Sequence, residues 1–199
     1  MTQPLNQETI NAFVIAAHHD LAKVQEMLSE NPALLNENAD WIETPIQAAA
    51  HTGSRAIAEY LLAQGAPLDI CTAAMLNRPD DVTALLQDDP GLYEAVGAHN
   101  IPVMYFAAIG GSTQIAETLL AAGSDINAGA NGNTALHGAA GFGQTAMVSW
   151  LLDHGADPNA IDHNGKTPLE VAEQTGQQAT ADLLRPVTTF EETEPDEDA

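Results

Sequence analysis

Two heptapeptides in the last third of the chain copy one pattern: Asn131-Gly132-Asn133-Thr134-Ala135-Leu136-His137 and, 33 positions on, Asn164-Gly165-Lys166-Thr167-Pro168-Leu169-Glu170. A period of this size marks small helical units, each unable to bury its apolar face alone and each burying it on its neighbour. A chain built this way presents an extended surface, so function is expected on that surface rather than in a deep pocket.

The pattern extends in both directions. Thr134-Ala135-Leu136-His137, Ala139-Ala140, Gly143, Leu151-Leu152 and Gly155-Ala156-Asp157 have counterparts upstream in Thr44-Pro45-Ile46, Ala49-Ala50, Gly53, Leu61-Leu62 and Gly65-Ala66, and between them in Gly111, Leu119-Leu120 and Gly123. One helix leucine per unit, Leu28, Leu61, Leu86, Leu119, Leu151 and Leu183, counts six units. These residues resemble the ankyrin repeat over roughly 11–187. The resemblance implies an all-α solenoid of about six helix-turn-helix units with short β-hairpin fingers, preceded by a lead-in over 1–10 and followed by an acidic tail over 188–199.

The local chemistry agrees with that architecture. Thr134 and Thr167 stand where a hydroxyl caps a helix N-terminus, and Pro168 sits at a first-turn position where its missing N–H costs nothing. Gly123 and Gly155 follow helices where a left-handed residue ends them. Between Leu61 and Leu86 the step shrinks to 25, because Leu68 to Ala74 runs almost directly into the next helix. The third unit is therefore expected to lack its finger. Such irregular units look like those of short bacterial ankyrin proteins.

Charge narrows the partners. The 28 acidic and 5 basic side chains leave a formal charge of −23, which repels phosphate backbones and anionic membrane faces, so neither nucleic acid nor membrane is expected as a partner. Self-repulsion at this charge favours a monomer. The single Cys71 cannot form an internal disulfide, and the first ten residues contain no basic, apolar leader, so a cytoplasmic location is expected. The last nine residues hold six carboxylates and little to bury, which predicts disorder.

Candidate chemistry is sparse. The resemblance gives His137 a structural role, bonding between loops of adjacent units. His18 and His51 are equivalent in adjacent units, but a zinc ion at about 2 Å from each ring would need the side chains to lean together and two further ligands. No cofactor or metal is expected, and no enzyme activity. Trp41 and Trp150 are expected to pack between helices. Counting two and three places beyond each unit's paired small residue gives a row on the concave side, where ankyrin proteins usually bind. From that row His18, His51, Leu76, Asn77, Ile109 and Phe142, with Tyr105 on the neighbouring turn, form the expected protein-binding face, and its carboxylate rim would suit a basic partner. Two other readings stay open: an acidic inhibitor or antitoxin-like protein masking a basic surface, and a metal- or small-ligand-binding protein using the histidine row.

Overall fold

A computed structural model describes residues 5–129 and 132–189. Six antiparallel helix pairs follow one another along the chain: α1 (Gln7–Ala17) with α2 (Leu21–Glu30), α3 (Pro45–His51) with α4 (Arg55–Ala63), α5 (Ile70–Met75) with α6 (Pro79–Asp88), α7 (Val103–Gly110) with α8 (Thr113–Ala122), α9 (Ala135–Gly141) with α10 (Thr145–Asp153), and α11 (Pro168–Gln174) with α12 (Gln178–Leu184). The odd-numbered helices pack on one another as an inner row, and the even-numbered ones back them.

The cause is visible in each unit. The inner helices are short and rich in small side chains, so Ala48, Ala49, Ala73, Ala74, Ala107, Ala139 and Ala172 are fully buried where neighbouring units approach. Five of the six outer helices bury an i, i+4 pair: Val24 and Leu28, Ile57 and Leu61, Ile115 and Leu119, Met147 and Leu151, Thr180 and Leu184; α6 buries Val82 and leaves Leu86 half-buried. In the last unit the buried leucine is therefore Leu184 rather than Leu183. The step from Leu151 becomes 33 and restores the period.

Thr44 and Thr167 close capping boxes with Gln47 and Glu170, and Asp69 caps α5 through the Thr72 N–H. Gly123 and Gly155 take positive φ at their helix ends, as expected. The third unit lacks a finger: α4 ends at Ala63 and α5 begins at Ile70.

Three expectations need correction. The first helix begins at Gln7 and buries Ile10, so 7–10 belong to the array rather than to a lead-in. Thr188 is buried with its hydroxyl on the Leu184 carbonyl, and the Thr189 N–H bonds the Asn159 side chain, so the packed structure runs past 187; the acidic run from 190 onward lies outside the described residues. The fingers are turns and loops rather than strands, and the described residues contain one isolated β-bridge, Val96 with Pro102.

His137 has the role expected of it. Its Nδ1 accepts from the Thr134 N–H at 3.3 Å, which leaves Nε2–H to donate to the Lys166 carbonyl, 3.0 Å away in the next finger. Burial pushes its pKa below the usual 6.5, partly offset by that carbonyl. The unfolded chain thus takes up this proton at a higher pH than the folded one. The contribution is complete above about 6.5 and is lost as pH falls below it. Melting curves at pH 7.5 and 5.5 should show a drop in Tm that is smaller in His137→Gln, whereas equal drops would remove His137 as a cause.

Candidate functional site

The chemistry gathers where the second and fourth fingers meet the first two inner helices. His18 caps the C-terminus of α1 and His51 closes α3. Each ring folds back toward its own helix, with Nδ1 2.8 Å from the Val14 carbonyl and 3.2 Å from the Gln47 carbonyl respectively. Facing two carbonyls, these Nδ1 atoms carry the protons.

Between them lies Glu43, with only 1% of its side chain exposed. Its position follows from a tight finger: the Ala39 N–H bonds the Glu43 carbonyl and the Ile42 N–H bonds the Ala39 carbonyl. Asn11 of α1 holds that finger through Asp40, by Nδ2 to Oδ2 at 2.7 Å and by the Asp40 N–H to Oδ1 at 3.1 Å. Ile42 pays for the turn with φ of +61°, a left-handed conformation that β-branched residues rarely adopt.

The missing third finger decides what comes next. With nothing projecting from the third unit, the fourth finger folds back toward α3. Its tip is a two-residue turn with His99 and Asn100 both at φ of +57° and the Ile101 N–H on the Ala98 carbonyl. This is the type I′ geometry suited to a hairpin, and Asn and His tolerate it better than most side chains. Gly97 in the same finger is so close to Phe106 that a Cβ there would overlap the ring.

The result is a row of three imidazoles over one carboxylate. The His18 and His51 ring centroids are 5.0 Å apart, as are those of His51 and His99, both pairs edge to face. Glu43 Oε2 accepts from Trp41 Nε1–H at 2.6 Å and lies 3.6 Å from His18 Nε2. Oε1 lies 2.9 Å from His51 Nδ1 and 3.8 Å from His99 Nε2, yet it has no well-directed hydrogen bond among the described residues. Burial alone would raise the Glu43 pKa, but the contacts with His51 and Trp41 and the proximity of His51 and His18 outweigh it and hold the carboxyl below its usual value. The cluster opens into a shallow groove of about 460 Å³ lined by Ile15, His18, His19, Trp41, Glu43 and His99.

The other expected face residues divide. Leu76 and Ile109 are each only 4% exposed and pack between units, because the short inner helices leave no room for them to turn outward. Tyr105 is mostly buried, its ring against Gly138, and burial raises its pKa. Asn77 is exposed at positive φ, and Phe142 is 41% exposed, its ring edge over Gly53. Trp41, expected in the core, is 41% exposed at the site; Trp150 stacks on His154. Burial pushes the Cys71 thiol well up, as does nearby Asp69, leaving it a packing residue.

Glu43 and His99 were not among the expected face residues, and Trp41 was expected between helices rather than at the site. Glu43 is one of 28 acidic residues, and only the 25-residue step hinted that two fingers would converge.

Known proteins share the repeat. Profiles of the ankyrin-repeat family match the chain, "Ankyrin repeats (3 copies)" over 70–162 and 103–191 and "Ankyrin repeat" over 43–73. Ankyrin repeat and SOCS box protein 11 of Danio rerio is 31% identical over 142 residues, covering 71% of this chain and 39% of that protein. Potassium channel AKT1 of Oryza sativa subsp. indica is 41% identical over 102 residues, 51% of this chain and 10% of the channel. The ARF GTPase-activating protein Git of Drosophila melanogaster is 48% identical over 52 residues, 26% of this chain and 7% of that protein. The matched stretch thus spans less than half the length of these curated relatives.

Proposed function

The chain belongs to the ankyrin-repeat family, and from that premise we propose that it is a non-catalytic protein-interaction module docking a partner on its inner-helix and finger side. One observation carries this reading. Of the seven large apolar side chains exposed among the described residues, Ile15 and Phe142 sit on or at the end of inner helices, Trp41, Ile42, Val96 and Ile161 sit on fingers, and Val187 follows α12. The outer helices contribute none. Six of the seven thus lie on inner helices or fingers, a concentration that a docking surface requires, and Trp and Phe are efficient anchors once a partner covers them.

Charge suggests the kind of partner. A surface with 28 acidic and 5 basic side chains would speed encounter with a basic protein segment and weaken binding to nucleic acid. We infer a monomer from the same self-repulsion, and a reducing, cytoplasmic setting from the single buried Cys71. Among the described residues no helix is long and apolar enough to cross a membrane. Masking of a basic surface, as an inhibitor does, is the same contact with a different consequence.

Affinity capture with three baits tests the reading: the wild type, Trp41→Glu with Phe142→Glu, and Gln87→Glu on an outer helix as control. A partner held by wild type and control, released more easily in high salt, and bound about 30-fold more weakly by the double variant is the expected result. Equal retention by the double variant would move the docking surface elsewhere.

A further inference from the structure

Glu43 is a buried carboxylate with no Lys or Arg beside it. A buried carboxylate needs a cation or a full set of hydrogen bonds. All five Lys and Arg side chains are engaged elsewhere: Lys23 with Glu26, Arg55 with the Met75 and Leu76 carbonyls, Arg78 with Glu59, Lys166 with Gln174, and Arg185 with Glu173 and Asp182. What surrounds Glu43 instead is nitrogen from imidazoles, and its Oε1 lacks a directed hydrogen bond.

We propose that His18, Glu43 and His51 form a binding site for a transition-metal dication, zinc by the character of the donors. One donor atom from each of the three lies within 4.8 Å of the others. With Nδ1 held against the Val14 carbonyl, the His18 ring turns its Nε2 toward Glu43 Oε2 at 3.6 Å, a separation that lets one ion touch both atoms. Ligands on a tetrahedral zinc with bonds of about 2.0–2.1 Å stand about 3.3 Å apart, so His18 and Glu43 need only a small contraction and the set as a whole must close from within 4.8 Å.

The supporting groups are those a metal site uses. The His18 Nδ1–H on a backbone carbonyl fixes the ring's tautomer and direction, and Trp41 Nε1–H on Oε2 orients the carboxylate. His51, whose Nδ1 lies 2.9 Å from Oε1, supplies one ring nitrogen once the entering metal displaces the proton on it. His99, with Nε2 3.8 Å from Oε1 and its ring edge on His51, stands where a fourth ligand is wanted, and water fills that place otherwise. Two nitrogens and one carboxylate oxygen suit zinc better than magnesium or calcium, which prefer all-oxygen sets. The groove over the cluster provides an entry path.

The test uses tag-free, metal-stripped full-length chain. Zinc chloride is titrated by calorimetry, and cobalt(II) is added separately to read its visible absorption. The wild type should bind one zinc per chain and give the intense cobalt bands of a tetrahedral site. Glu43→Gln and His51→Ala should each weaken binding about 100-fold or more and Trp41→Phe about 10-fold, while His154→Ala, away from the cluster, leaves it unchanged. Far-UV circular dichroism checks that each variant keeps its helices; should His51→Ala unfold, the near-isosteric Glu43→Gln decides. Equal affinity in wild type and Glu43→Gln, loss of binding in His154→Ala, or a wild type without stoichiometric binding would overturn the proposal.

Discussion

Phe106→Ala should lower the stability of the array by about 3–5 kcal/mol, the range for removing a buried aromatic ring. Phe106 is fully buried in α7, at the point where the fourth finger crosses Cys71 and leaves no space for a side chain at Gly97. The ring therefore supports two things at once, the contact of α7 with the third unit and the seat of the finger that carries His99. For a chain of this size each kcal/mol moves Tm by about 2–4 °C, so a fall of about 6–20 °C is expected. Because stability in a linear array is a sum of neighbour contacts, weakening its middle should also broaden the transition. A change below about 1 kcal/mol in urea melts would contradict the packing.

Gly110→Val should cost about 3 kcal/mol, the upper end of the usual range for overpacking. A Cβ on Gly110 would stand 2.5 Å from the Ala74 carbonyl oxygen and 2.8 Å from that of Met75. These are backbone atoms, which cannot swing aside as a side chain would, so α5 and α7 must separate. The Met75 carbonyl also accepts from Arg55 at 2.6 Å, so separation disturbs the link between the second and third units. Urea melts followed by circular dichroism should show the loss, and wild-type stability in Gly110→Val would mean that the two helices are not in such close contact.

Much of the architecture could be read directly from residue order. Capping threonines, helix-ending glycines and paired alanines repeat at fixed offsets, and each acts locally, so their consequences survive folding. Leu183 was misassigned because two leucines adjoin, and only burial distinguishes them. Leu76 and Ile109 are buried for a related reason: they lie on the counted row, but the inner helices pack too closely to leave those side chains outside. The site itself depends on an absence. A missing finger lets another reach across, and it brings His99 to His51 over 48 positions of sequence. Nothing in Glu43's neighbours along the chain signals that it will be enclosed.

The central claim is that this convergence makes one coupled site of His18, Glu43, His51 and His99. Long-range proton–nitrogen correlation spectra of the histidine rings, recorded before and after one equivalent of zinc, test it residue by residue. The account predicts Nδ1–H rings for His18 and His51 and an Nε2–H ring for His137 in the metal-free chain. Zinc should then shift the ring nitrogens of His18 and His51 together while His137 and His154 stay in place. Shifts spread over all seven histidines, or none at His18 and His51, would contradict it.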